Sequence, residues 1–309
     1  ATLLASNDVV FDAAVTGLED LTVRAGLAGI GTVDIHTSLM DINGSALFAA
    51  PDAINLDPAS MPFINIWTNG SQTYEGDVVV NSTAQVISWQ DGGIDIDGTV
   101  TLDGSPFLLL RSGDGDIAVD GNIETTNAAQ GQMVAHADAG DILIGGDIGS
   151  INVLNALELT AEEGLIEFSG NLVQAENDIY LNNFEGPRTA LADIIGRSDN
   201  LEIVSNNGGI YIGRNHKFTQ LGDLTLRALN GEITLNDIST FGSMTVDSPS
   251  ISIYLREALD ILTDLGIDVP SVTVNFVAGE TITFTSTPNL VGTGETPWFA
   301  SVDESPSRL

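Results

Sequence analysis

The sequence predicts an all-β chain wound as a parallel β-helix, in coils of 22–25 residues, with a short helix and extra strands near its C-terminus. Three observations predict it. First, Gly92-Gly93-Ile94-Asp95-Ile96-Asp97-Gly98-Thr99-Val100 returns at Gly115–Ile123, Gly140–Ile148 and Gly164–Leu172, with apolar residues two, four and eight positions after the first glycine and a second glycine six after it. Second, the apolar residues alternate with polar ones, the period of a strand with one face buried. Third, no unit holds the 10–15-residue helical pattern of an α/β repeat. Three short strands in a unit too small to bury its own core imply stacking of units.

The elements follow in order. Residues 1–90 read as irregular coils. Leu21-Thr22-Val23-Arg24, Val33-Asp34-Ile35 and Asp77-Val78-Val79-Val80 are strand candidates there, and Phe48–Pro62, with three prolines, reads as a loop inserted off the stack. Residues 91–253 read as regular coils. Their leading glycines are Gly92, Gly115, Gly140, Gly164, Gly186, Gly208 and Gly231, and paired apolar positions such as Leu108/Leu110, Leu157/Leu159, Leu201/Ile203 and Leu224/Leu226 precede them. Glycine, Asn and Asp at the corners are expected to supply positive φ. Pro187 breaks the Gly186 unit, so 184–199 reads as a bulged coil with a surface loop. Met244/Val246 and Ile251/Ile253 are further strand pairs. The segment 254–286 reads as a cap: Leu255, Ala258, Leu259, Leu262 and Leu265 recur at helical spacing, and two hairpin-like strands follow at 272–276 and 281–284. Residues 287–309, polar and proline-containing, read as a tail or linker.

Composition excludes several functions. The chain of 309 residues carries 43 acidic and 9 basic residues, a net charge of −34, with Lys217 the one lysine. Such a field repels nucleic acid and anionic membrane surfaces, and its self-repulsion would be screened by salt or bound cations. The sequence has no cysteine, so disulfides and thiolate-ligated metals are excluded. No segment reaches the ~20 apolar residues of a membrane-spanning helix, so no membrane insertion is expected. No basic stretch followed by an apolar run opens the chain as in a secretory signal, so an exported protein would have lost one before Ala1.

The phrase Gly70-Ser71-Gln72-Thr73-Tyr74-Glu75-Gly76, leading into Asp77-Val78-Val79-Val80, resembles a recurrent phrase of filamentous-haemagglutinin-type adhesins. The Leu-Thr-Val/Leu-Arg-Ala segments at 21–25 and 224–228 are similar to it too. The resemblance covers roughly residues 15–285 in style and implies a right-handed parallel β-helix on a large exported bacterial surface protein. Right-handedness also follows from the preference of parallel crossovers. The Asn-Pro-Asn-Gly-type motifs of that family's export domain are absent, so the likeness is to the shaft.

No set of residues converges as a catalytic site would. A lyase needs carboxylates for calcium plus an Arg or Lys beside them, and the basic residues are scattered apart from Arg214, His216 and Lys217. Asp95 and Asp97 fall at positions that face solvent, so they read as an outward acidic ladder and not as a glycosidase pair. Asp114, Asp116 and Asp147 lie in Gly/Asp-rich stretches similar to calcium loops, without the EF-hand or β-roll period. His36, His136 and His216 read as isolated, and Trp67, Trp89 and Trp298 as packing residues. The expectation is a non-enzymatic extracellular structural or adhesive protein, a shaft segment or a fibre subunit, needing no cofactor unless calcium. It would self-associate end to end or bind other surface proteins or glycans. Val272, Val274, Phe276, Ile282 and Phe284 are the assembly candidates, by strand addition. The alternatives are a carbohydrate-active β-helix and a calcium-stabilised matrix protein.

Overall fold

The computed structural model describes residues 1–57, 63–182, 193–213, 218–235 and 238–254, together with the strands Asn275–Ala278, Ile282–Phe284, Asn289–Val291 and Ser301–Glu304. The chain is a parallel β-solenoid with three faces, and no helix occurs among the described residues. Each coil lays down one strand per face, save one coil whose second face is the single bridging residue Ile148, and the strands pair in parallel with their counterparts in the neighbouring coils. The first face is a 13-stranded sheet running from Thr2–Leu4 to Ser301–Glu304. The second contains Thr32–Ile35, Ala53–Leu56, Val78–Val80, Val100–Leu102 and Ile123–Thr125. The third contains Leu39–Ile42, Phe63–Thr68, Thr83–Ser88, Phe107–Ser112, Gln130–Ala137 and Leu154–Ala161.

The alternation places the core as the sequence predicts. Ile94, Ile117, Ile142 and Ile166 stack in register on the first face, each at most 1% exposed, with Ile96, Val119, Ile144 and Phe168 beside them. One continuous apolar core runs along the stack. Burial of each such aliphatic side chain contributes about 1.5–3 kcal/mol relative to exposure.

Positive φ is found at Gly26, Gly29, Gly104 and Asn182 as expected, but the repeat glycines serve another purpose. Gly44, Gly70, Gly92, Gly115, Gly140 and Gly164 form one column, in which a β-carbon on each of the last four would lie under 3.0 Å from the glycine one coil earlier. Gly76, Gly98, Gly121, Gly146 and Gly170 form a second such column. Of these two columns only Gly76 has positive φ. The requirement is therefore close approach of stacked backbones, not a left-handed conformation.

The first column also extends the regular coils upstream. Gly70 is a repeat glycine whose second following residue is Gln72 instead of an aliphatic. Gln72 points inward, fully buried, and its Nε2 donates to the carbonyl oxygens of Ile66 (3.2 Å) and Ile87 (2.8 Å) on the third face. The buried Tyr74 hydroxyl donates to Gln72 Oε1 at 2.8 Å, and its ring stacks on Phe48 at 5.4 Å. Burial pushes the Tyr74 pKa up, which keeps the hydroxyl a donor. The Gln-Thr-Tyr phrase is thus an internal crosslink between two faces.

Two expectations are corrected. Residues 48–57 are not an insertion off the stack: Ala46–Ala49 and Ala53–Leu56 are strands of the first and second faces, and Pro51 turns the corner between them, while 58–62 lie outside the described residues. The bulged coil expected at 184–199 falls partly outside the described residues. Residues 183–192 lie outside the described residues, and Ile194–Gly196 supplies the first-face strand, pairing with Ile166–Phe168. As a result Leu201/Ile203 and Leu224/Leu226 stack on the second face, below Val173, and Ile210/Ile212 stack on Ile179/Leu181 of the third. The repeat keeps its period but moves round by one face, because the first-face strand falls at Ile194, eight positions after Gly186, where earlier coils such as that of Gly92 begin their second-face strand. The similar Leu-Thr-Val-Arg and Leu-Thr-Leu-Arg segments occupy different faces.

The strands expected to form a hairpin also run in parallel. Asn275–Ala278 pairs with Ile238–Thr240, Ile282–Phe284 with Met244–Asp247, and Asn289–Val291 with Ser250–Tyr254, so they continue the coils. Ser301–Glu304 pairs with Asn275–Ala278. Of the expected helix, Tyr254 ends a strand and 255–265 lie outside the described residues.

Candidate functional site

Most outward acidic residues near corners bond to the next coil. Asp20, Asp77, Asp116, Asp141 and Asp223 each accept, through Oδ1, a backbone N–H from the following coil at 2.7–2.9 Å. Asp147 Oδ1 accepts from Asn171 N (2.7 Å) and Leu172 N (3.1 Å), and its own N–H donates to Asn122 Oδ1. These are charge-assisted bonds to corner amides that no strand partner satisfies. Of the calcium candidates, Asp116 and Asp147 thus hold different corners, and the exposed Asp114 donates its N–H to Gln90 O. The structure does not gather the three into one site. Asp95 and Asp97 are exposed as expected, and the Asp95 pKa is raised by partial desolvation and then by Asp97 and Asp120.

A buried carboxylate went unnoticed in the sequence. Glu124, 5% exposed, lies under the segment 149–152. It accepts N–H groups from Ser150 (3.1 Å), Ile151 (2.9 Å) and Asn152 (3.4 Å), and the Ser150 hydroxyl. In this coil the second face shrinks to a single bridging residue, Ile148. Glu124→Ala should leave those amides without an acceptor and cost about 2 kcal/mol. Hydrogen exchange should show the amides of 150–152 losing protection first; unchanged exchange would refute the role.

The one His/carboxylate cluster found among the described residues lies on the third face. Ile87, Arg111, His136 and Thr160 are stacked partners on successive coils. His136 Nε2 lies 3.1 Å from Asp138 Oδ1 and 3.0 Å from Glu162 Oε1. Arg111 Nη2 donates to both Asp138 oxygens at 3.2–3.3 Å, and its guanidinium sits 5.6 Å from the centre of the Trp89 ring. The side chain of His136 is 20% exposed, and those of Asp138 and Glu162 are 39%. His136 is therefore not isolated. A signal was present in the sequence: Arg111 and His136 stand four residues before their repeat glycines, and Asp138 and Glu162 stand two before theirs.

Other outward columns are structural ladders. Arg24 reaches across Ala49 to Glu75 (2.6 and 3.1 Å), and Arg227 bridges Glu202 and Asp247. Tyr180 and Tyr211 stack at 4.8 Å, with the Tyr180 pKa pushed up to about 12 by burial and by Asp178. Phe276, Ile282 and Phe284 sit on strands already paired within the chain, while Val272, Val274, His216, Lys217 and Trp298 lie outside the described residues. Comparison with known protein families, curated proteins and solved structures found no match to the chain.

Proposed function

We propose that this chain is a non-enzymatic structural shaft, a segment of a large extracellular adhesin or of a surface fibre. The observation that carries the reading is the uninterrupted stack: one core, three parallel sheets and outward columns in which polar groups bond to the next coil. Such a body is stiff along its axis, because each coil is held by main-chain ladders and by corner carboxylates. Its acidic surface keeps it soluble and discourages lateral contact with other anionic surfaces. The likeness of the Gln72–Gly76 phrase to filamentous-haemagglutinin-type adhesins supports a place outside the cell, with glycans or other surface proteins as partners.

Small-angle scattering tests the shaft. Thirteen stacked strands at about 4.8 Å per coil span on the order of 60 Å, so the data should show a rod with a constant cross-section. Incubation with a panel of polysaccharides, with and without calcium, tests the absence of catalysis. The shaft reading expects no new reducing ends and no unsaturated sugars; their appearance would replace it with a carbohydrate-active one.

A further inference from the structure

We propose that His136, Asp138 and Glu162 form a binding site for a divalent transition-metal cation, with zinc the representative ion. This inference does not depend on the shaft reading. It starts from a mismatch in the cluster. One imidazole nitrogen, His136 Nε2, faces two carboxylate oxygens at 3.1 and 3.0 Å. That nitrogen carries at most one hydrogen, so it cannot give each carboxylate a full hydrogen bond. Arg111 compensates Asp138, but no bond from Arg111 to Glu162 is formed. A cation seated between the three atoms would satisfy all of them together.

The geometry suits such an ion. All three donor atoms lie within 4.8 Å of one another. Zinc–nitrogen and zinc–oxygen bonds of about 2.0–2.2 Å place neighbouring ligand atoms roughly 3.0–3.5 Å apart, close to the two nitrogen–oxygen separations of 3.1 and 3.0 Å here. One nitrogen and two carboxylate oxygens form a borderline donor set, which favours zinc and its transition-metal neighbours over calcium. Partial exposure of the three side chains leaves the remaining coordination positions open to water.

The solenoid pre-arranges the ligands. His136 and Asp138 are two apart in sequence, so both point outward at the end of one strand. Asp138 N donates to Ser112 O and Glu162 N to Ala137 O, which fixes Glu162 one coil beyond Asp138 in the same column. Arg111, braced by Trp89, holds the Asp138 carboxylate in place, the part outer groups play around metal ligands. None of these positions depends on the corner aspartates, whose oxygens are engaged with backbone amides.

Isothermal titration of the full chain with zinc chloride tests the site, at physiological ionic strength so that diffuse binding to the acidic surface is screened. The expected result is one saturable equivalent, lost in His136→Ala and in Glu162→Gln. Both substitutions lie on the outer surface, and thermal unfolding of the metal-free variants should match the parent chain. A parallel titration with calcium chloride should give a curve that His136→Ala leaves unchanged. Absence of a saturable zinc equivalent in the parent chain would overturn the proposal. So would an identical zinc isotherm in the two variants.

Discussion

Gly140→Ala should destabilise the chain by about 3 kcal/mol, a large loss for the addition of one methyl group. The methyl carbon would fall under 3.0 Å from the carbonyl carbon and oxygen of Gly115 and from the N of Asp116. All three are backbone atoms, and they cannot rotate away as a side chain can. Relief requires the two coils to separate at this corner. That separation strains the ladder between Ile117–Val119 and Ile142–Ile144 and the bond from Asp141 N to Asp116 Oδ1. Urea unfolding should show a lowered midpoint, and hydrogen exchange should place the loss in the coils on either side of Gly140. Ser105→Ala, at an exposed corner position, should leave both unchanged. An unaltered midpoint for Gly140→Ala would show that the corners can open freely, and the close-approach account of the glycine columns would fail.

Gln72→Leu should cost about 3 kcal/mol, although leucine matches glutamine closely in size and is far more apolar. The substitution leaves the Tyr74 hydroxyl buried without its acceptor. It also removes the amide from the carbonyl groups of Ile66 and Ile87. Each buried polar group left unpaired costs about 1–3 kcal/mol. Tyr74→Phe alone should cost about 1–2 kcal/mol, because Gln72 Oε1 then loses its donor while the rest of the network stands. The double variant is the decisive one. With both partners gone nothing remains unpaired between them, so it should be hardly less stable than Gln72→Leu alone. Losses that simply add would show that the two side chains act independently.

Gln72 also shows why part of the fold was hidden. The coil that begins at Gly70 follows the same offsets as the later ones, but a polar residue fills an inward position, and a search for apolar periodicity passes over it. The sequence pattern registers hydrophobicity and cannot register that an amide is satisfied inside. Glu124 is a second case, since its partners at 150–152 lie more than twenty residues away. The cluster at His136 is a third. Its members are adjacent only because successive coils stack in register, and Glu162 is separated from His136 by 26 positions along the chain. The offset shared by Arg111 and His136 was visible, but a shared offset acquires chemical meaning only once coils are placed one above another.

The repeat glycines and aspartates stand at corners as expected, but of the two glycine columns only Gly76 has the expected positive φ. Glycine there permits backbone contact, and aspartate there bonds to amides of the next coil. Both roles arise between coils, so neither is a property of the local segment.

By itself the sequence determined the all-β character of the chain, the coil repeat and which side chains face inward. Those follow from alternation within a strand, a local property that holds whatever lies on either side. Only the tertiary structure decided which strand lies over which, that the repeat moves round by one face after residue 182, and that a histidine and two carboxylates meet on one surface. Alternation distinguishes inside from outside but is blind to which of the three faces a strand occupies. That choice is made by strand pairing between coils, and a first-face strand displaced to Ile194–Gly196 is enough to change it for the coils that follow.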